Sequence, residues 1–318
     1  MNASKWLVPS PQKLIAFLQF QLGGEISGKS LRKALDANLC RVNGRIERFG
    51  STFLERGDEV QLAPSWKSLL SPNLPSLTGF ETVYEDEFFK IVNKPAGWVC
   101  EQNQALRSFG PKHYLVHRLD KDTTGLLIVA KRNDAKEKLM ELFEQRKIMK
   151  SYFAVVDGIP REEEGVRKSL LAKKGSFQGQ TIWGSSQNGL TAVTHWKRLW
   201  KGNQGSLLLC SPETGRTHQI RVHLSEMGHP ILVDRQYASS FRCPLFIQRT
   251  LLHAARLQFA HPFTEKQIDI SPPLPVDIRE CLLKLGMKMA ELRQFSGENQ
   301  HDESRDESHG DEQTEEIE

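Results

Sequence analysis

Hydrophobic positions along the chain follow first a helical period, then an alternating one, and the change marks two units. In "PQKLIAFLQFQLG" apolar residues recur at helical spacing (Leu14, Ile15, Phe17, Leu18, Leu22), which predicts a helix. "SGKSLRKALDANLC" follows. Ser27 or Ser30 can cap a second helix there, with Leu31, Leu35 and Leu39 on one stripe and Lys29, Arg32 and Lys33 on another. "RVNGRI" supplies an Asn-Gly turn between short β-prone runs, and "LERGDEVQL" passes a Gly-Asp turn into an alternating strand. Two helices and a small sheet are therefore expected within residues 1–62. Residues 63–79 hold three prolines and several serines with no sustained period, so a linker and a domain boundary are expected there.

From Phe80 onward strand and helix signals intermix. "FFKIVNKP" is strand-like until Pro95, and "GLLIVAK" predicts a buried strand. "NDAKEKLMELFEQRKI" predicts a helix capped by Asn133 or Asp134, with Ala135, Leu139, Leu142 and Phe143 inward. "KSYFAVVDG" alternates as a strand, "AVTHWKRL" and "GSLLLCSPETG" predict a strand pair, and "HQIRVHLSEMG" closes on glycine. The order is not a βαβ repeat. An α+β domain over residues 80–296 is expected, with a mixed, mainly antiparallel sheet and flanking helices.

Composition narrows the setting. The longest apolar runs are too short to cross a bilayer, and the N-terminus lacks a basic region followed by a sustained apolar stretch, so a cytoplasmic protein is expected. The five cysteines are scattered and form no C-x-x-C pair, which argues against a disulfide framework and a zinc ribbon. Net charge is +4, unevenly spread: ten acids against Arg305 alone put residues 297–318 at −9 and leave +13 on residues 1–296. A basic body attracts phosphate backbones, and the acidic tail has too little apolar surface to fold.

No phosphate-binding glycine loop, dinucleotide fingerprint or H-E-x-x-H zinc motif is present, and no Cys or His cluster has ligand spacing. His218, His223, His229 and His253 fit no common metal set, so neither metal nor cofactor is expected. What remains is "HRLDKDTTGLLIVAK" at 117–131, where charge crowds against an apolar run. Asp120 lies in a loop entering that strand, a place where a scaffold can fix a side chain at a cleft edge. By itself D-x-x-T-x-G reads most simply as an Asp closing its own turn.

The neighbouring strings change that reading. "NKPAG" (93–97), "HRLDKDTTG", "KSYFAVVDG" (150–158), "TGRTHQIRVHLSEMGHPI" (214–231) and "LLHAARLQFAHP" (251–262) together resemble, in order, the RluA-type RNA pseudouridine synthases. "SGKSLRKAL", "CRVNG" and "RGDEV" resemble an RNA-binding module of the ribosomal protein S-four type; the alternative for the Lys29, Arg32 and Lys33 stripe is a solvated helix face. The resemblance implies that Asp120 is the catalytic carboxylate, with Arg221 as its ion-pair partner, whose planar fork could hold both oxygens. A carboxylate beneath RNA needs such a cation, because burial favours the protonated acid. It implies that Tyr152 packs on the target uracil, its hydroxyl a candidate for the final proton removal, and that Leu252 lines the pocket. Arg118 would fill the hole left by a flipped base or grip phosphate, and His117 would assist or be structural.

The plain alternatives are a strand-borne surface arginine for Arg221 and a core residue for Tyr152. Pro95, Gly97, Gly125 and Gly215 read as architectural. Two departures from the family pattern stand near the cleft: "VCEQN" follows "KPAGW" where a His-Pro turn is usual, and Val233 replaces a glycine. The expected partner is structured RNA, ribosomal more than transfer RNA, with no membrane or DNA, and the expected state is a monomer. The competing reading is an inactive RNA-binding or ribosome-assembly factor on the same fold. A hydrolytic glycosidase would want a second carboxylate, for which Asp122 is the candidate.

Overall fold

A computed structural model describes residues 3–24, 26–70, 80–177, 180–238 and 241–295. The expected tail at 297–318 and most of the expected linker lie outside them. The first unit has helices Leu14–Gln21 and Gly28–Asp36. Its main sheet runs in the order Ser4–Leu7, Glu59–Leu62, Cys40–Val42, Arg45–Ile46. Ser27 is the cap: its Oγ accepts from the Ser30 N–H at 3.1 Å. Asn43 and Gly44 both have positive φ, 51° and 76°, as a tight Asn-Gly turn between strands requires. Leu14, Phe17, Leu18, Leu31 and Leu35 are all fully buried in one cluster. Trp66, on the short 3-10 helix Pro64–Leu70, joins that cluster, so the unit reaches past the boundary expected at residue 62.

The first unit is seated on the second through named contacts. Asn38 Nδ2 donates to the Gln248 carbonyl at 2.7 Å, and Arg41 Nη2 to the Leu245 carbonyl at 2.8 Å. Ile46 packs on the second unit's core while Phe246 packs on the first unit's.

The expected α+β domain is borne out. Its path of strands runs Gln180–Ser185, Glu164–Phe177, Leu190–Lys201, Gly205–Pro212, Met149–Asp157, Leu252–Ala260, Thr124–Ala130, Phe89–Lys94, Glu81–Glu85. Every named pair along it is antiparallel except Thr124–Ala130 with Leu252–Ala260. At that parallel seam Gly125 faces Ala254. Its φ is +108°, and a Cβ there would lie 2.2 Å from the Ala254 carbonyl oxygen, so the position admits only glycine.

The strand behind Asp120 is buried along its whole length, which explains its unbroken apolar run. Each large side chain there contributes about 1.5–3 kcal/mol by leaving water, enough to anchor a charged loop at the strand's mouth. Helix Asn133–Glu144 covers this end with Ala135 and Leu139 buried. Its N-cap position is Arg132, not the expected Asn133 or Asp134; Asp134 sits in the first turn and takes Arg132 as a salt-bridge partner at 2.7 Å. The long hairpin of Glu164–Phe177 and Gln180–Ser185 was not apparent from the apolar pattern. No helix among the described residues is long and apolar enough to cross a membrane.

Candidate active site

The loop that carries Asp120 is held mainly by its backbone. Lys94, fully buried at the end of its strand, donates from Nζ to the carbonyls of Pro95, Trp98 and Lys121 at 2.9, 2.9 and 3.0 Å. Burial lowers its pKa to about 8. Gly97, at φ +83°, donates its N–H to the same Lys121 carbonyl at 2.8 Å. From the other side Arg249, forked onto Asp277 at 2.6 and 3.0 Å, donates to the Asp122 carbonyl at 3.3 Å. Two cations that the sequence left unassigned thus satisfy carbonyls that no strand or helix could pair.

His117 is a third brace. Its Nε2 accepts the Ile128 backbone N–H at 2.9 Å, and its ring lies 4.7 Å from that of Phe143. Burial drives its pKa down to about 3, so the ring is neutral and its acceptor is already engaged. Of the two roles expected, this geometry fits the structural one: His117 holds the loop to the strand behind it, and it also borders the cleft.

Facing Asp120 is the helix Gln219–Glu226, which starts after His218 in the left-handed conformation at φ 55°. Arg221 is therefore on a helix, not a strand, and it is nearly buried. Its Nη1 donates to Asp120 Oδ2 at 3.2 Å. The bidentate fork expected on Asp120 instead grips Asp234, with Nε and Nη2 at 2.6 and 2.8 Å, while Nη2 also donates to Gln236 Oε1 at 2.8 Å. Asp234, with its side chain 1% exposed, pairs Arg221 from behind, and this frees one arm for Asp120. Burial alone would lower the pKa of Arg221; Asp234 and then Asp120 reverse that and raise it. The guanidinium is a fixed positive charge.

His218 places Nε2 at 3.8 Å from the other oxygen of Asp120. Burial, followed by the Arg221 charge, lowers its pKa. Burial pushes the Tyr237 phenol up to about 12, so it remains a donor, and its hydroxyl lies 2.7 Å from His218 Nδ1. With the phenol donating to Nδ1, the imidazole proton would sit on Nε2, toward Asp120.

These groups open into a cleft of about 910 Å³ bordered by Arg118, Asp120, Tyr152, Arg221 and Leu252. The volume is within the range of small-ligand sites. Burial first, then the Asp120 charge, raises the Tyr152 pKa. Arg118 is exposed at the rim with no hydrogen bond or ion pair among the described residues. Lys29, Arg32 and Lys33 are exposed on the first unit's second helix and do not border the cleft. Asp122 does not border it either, so the residue considered as a glycosidase's second carboxylate is not at the cleft.

The histidines that might suggest a metal are otherwise engaged. His223 bonds Ser169 and Thr194, His229 bonds the Asp157 carbonyl, and His253 bonds Thr124 through Nδ1, its buried Nε2 having no partner among the described residues. Gly215 borders the cleft without a positive φ, and a Cβ built there would meet Lys150 Nζ at 3.7 Å, an ordinary contact, so neither backbone angle nor crowding demands glycine there. Asp234 could have been suspected from the sequence, since a buried arginine requires a buried acid. Nothing local pairs it with Arg221.

Residues 89–226 match the family model described as RNA pseudouridylate synthase. Ribosomal large subunit pseudouridine synthase C of Vibrio cholerae is 35% identical over 73% of this chain and 80% of its own. The Escherichia coli K12 protein of the same description is 34% identical over 86% and 93%. Among solved structures, human RNA pseudouridylate synthase domain containing 4 superposes with a TM-score of 0.55 at 26% identity, covering 66% of this chain and 94% of that one. The chain belongs to the RluA-type RNA pseudouridine synthase family, a class of isomerases.

Proposed function

We propose that the protein converts uridines of ribosomal RNA to pseudouridine, with Asp120 as the reacting carboxylate. The observation that carries this reading is the Asp120–Arg221 ion pair at 3.2 Å in a cleft walled by Tyr152 and Leu252. The curated relatives are named as ribosomal large subunit enzymes, which favours ribosomal over transfer RNA. The N1–C1′ bond breaks, the uracil turns, and C5 joins C1′; C5 loses a proton, N1 gains one, and the product is an isomer. Asp120 acts either by adding to C1′ or by taking a sugar proton, and either step requires the ionised form. The uridine must leave its stack to reach the carboxylate, and Arg118 at the rim is placed to fill the gap or hold phosphate.

Tyr152 packs on the detached uracil. Because its pKa is raised, it stays a neutral phenol, a surface and a donor. The Asp120 carboxylate, free again once it has left C1′ or returned the sugar proton, is a stronger acceptor for the C5 proton. The N-terminal unit, read as a ribosomal protein S-four-type module, holds RNA phosphates with Lys29, Arg32 and Lys33, which are exposed along one helix. The protein acts in the cytoplasm as a monomer, on RNA and not on DNA, and its acidic tail at 297–318 screens the basic body from other partners.

Pseudouridine mapping across total RNA from cells with and without the gene tests the reading. At least one ribosomal site should vanish on deletion and return with the wild-type gene but not with Asp120→Asn. Restoration by both would identify a binding factor instead. Loss confined to transfer RNA would overturn the substrate.

A further inference from the structure

The hairpin Glu164–Phe177/Gln180–Ser185 is tied to the rest of the domain at the residues that surround Arg221. Gln236 bridges the two: its Oε1 accepts from Arg221 Nη2 at 2.8 Å while its Nε2 donates to the Thr181 carbonyl at 2.7 Å. Tyr237 makes a parallel bridge, its hydroxyl accepting the Trp183 N–H at 3.3 Å and lying 2.7 Å from His218 Nδ1. Glu226, on the same helix as Arg221, accepts from the Ser185 N–H at 2.8 Å, from Ser185 Oγ at 2.6 Å and from Arg167 at 3.1 Å. Arg221 and His218, the two side chains beside Asp120, are therefore each one side chain away from the hairpin strand Gln180–Ser185.

That strand is the last in the sheet's order and pairs on one side only, with Glu164–Phe177. Without the side-chain bridges its inner end would depend on a single ladder. Most side chains described on its partner strand Glu164–Phe177 are exposed, Lys168, Lys173 and Lys174 among them, so polyanions can reach the hairpin. A displacement of the strand at Thr181 pulls on Gln236. An amide suits this bridge because it presents one acceptor to the guanidinium and one donor to the carbonyl.

We infer that Gln236 is a positioning residue that couples the seating of the hairpin to the arginine gripping Asp120. The inference rests on the roles proposed above for Asp120 and Arg221. Gln236 touches neither the cleft nor a reacting atom; it fixes the arm of Arg221 that Asp234 shares, and so the angle of the arm that reaches Asp120. Gln236→Leu removes both ends of the bridge. Gln236→Glu keeps an acceptor for Arg221 but sets a carboxylate oxygen against the Thr181 carbonyl, and so breaks the hairpin end alone.

The full-length protein is assayed on total RNA from the deletion strain, with Asp120→Asn alongside. Gln236→Leu should lower kcat about tenfold, the signature of a lost transition-state contact of about 1.4 kcal/mol, with half-saturation in RNA changed by less than about twofold. Gln236→Glu should lower kcat by about threefold. Both should raise hydrogen exchange at the backbone amides of residues 180–185 in the free protein about tenfold.

Wild-type kcat in Gln236→Leu, or a loss carried wholly by RNA half-saturation, overturns the inference. Unchanged exchange overturns it too, and needs no turnover at all. If Gln236→Leu fails to fold, Gln236→Glu decides by the same two measurements. An active Asp120→Asn would instead strike the proposed function, and an inactive one beside a fully active Gln236→Leu strikes only the coupling.

Discussion

Arg221 and Arg235 lie on opposite sides of one turn, and their surroundings are opposites. Arg221 is gripped by Asp234, Gln236 and Asp120, and its neighbours raise its pKa. Arg235, at the joint with the N-terminal unit, has buried Nε and Nη2 atoms with no partner among the described residues. Burial, and then the nearby Arg48 guanidinium, depress its pKa to about 9. Glu47, the acid beside it, already has Oε1 committed to the backbone N–H groups of Arg48 and Phe49 at 2.7 and 2.8 Å. Each extra acid at the cleft makes a buried cation permanent, whereas the joint leaves one exposed to like charge. The difference is in the number of carboxylates supplied, since the side chain is the same.

The largest expected effect comes from removing that supply. Asp234→Asn leaves the Arg221 guanidinium buried with only Asp120 against it. Breaking a buried pair from one side costs about 3–5 kcal/mol. A thermal melt should fall by roughly 6–20 °C, given about 2–4 °C per kcal/mol for a domain of this size. A melt unchanged within 1–2 °C, on the same conversion, would show that Asp120 alone compensates the arginine. Arg235→Met should move the other way by a smaller amount. It deletes unpartnered buried donors, each of which costs about 1–3 kcal/mol, while keeping an apolar stem of similar length. A gain of about 1 kcal/mol in denaturant stability is expected. A loss of similar size would mean that an anion or bound water satisfies Arg235, and the contrast with Arg221 would dissolve.

Much of this was legible along the chain because it depends on local period and chemistry. The apolar stripes of Leu14–Leu18 and Leu31–Leu35 fold as helices, and "GLLIVA" is buried on both faces as a strand that carries no polar alternation must be. Asp120, Arg221, Tyr152 and Leu252, separated widely in sequence, meet at one cleft, as the family strings implied. What was not legible required three dimensions. Among the described residues of the strand Glu164–Phe177, Leu171 is the buried large apolar side chain, so the strand offers no core-facing stripe to read. The fork of Arg221 could be aimed at Asp120 on paper, and only the fold reveals that Asp234 occupies it. His117 could be read along the chain as an RNA contact or as a brace, and only the fold shows its Nε2 bonded to the strand behind.

Val233, the residue that opens the turn between the two arginines, gives the smallest and most diagnostic test. Its φ is +66°, in the left-handed region that a β-branched side chain resists, while its side chain is packed into the main core. Replacing it with glycine relieves about 1–2 kcal/mol of backbone strain. The same change forfeits about 1.5–2 kcal/mol of burial and adds about 0.5–1 kcal/mol of chain entropy in the unfolded state. These nearly offset, so Val233→Gly should cost no more than about 1–2 kcal/mol. Val233→Ala loses most of the burial and keeps the strain. Glycine should therefore exceed alanine in stability by about 0.5–1 kcal/mol, the reverse of their usual order at a buried position. If alanine proves the more stable, the turn is not strained. The placement of Asp234 toward the cleft and Arg235 toward the joint would then need another cause than the backbone angle at Val233.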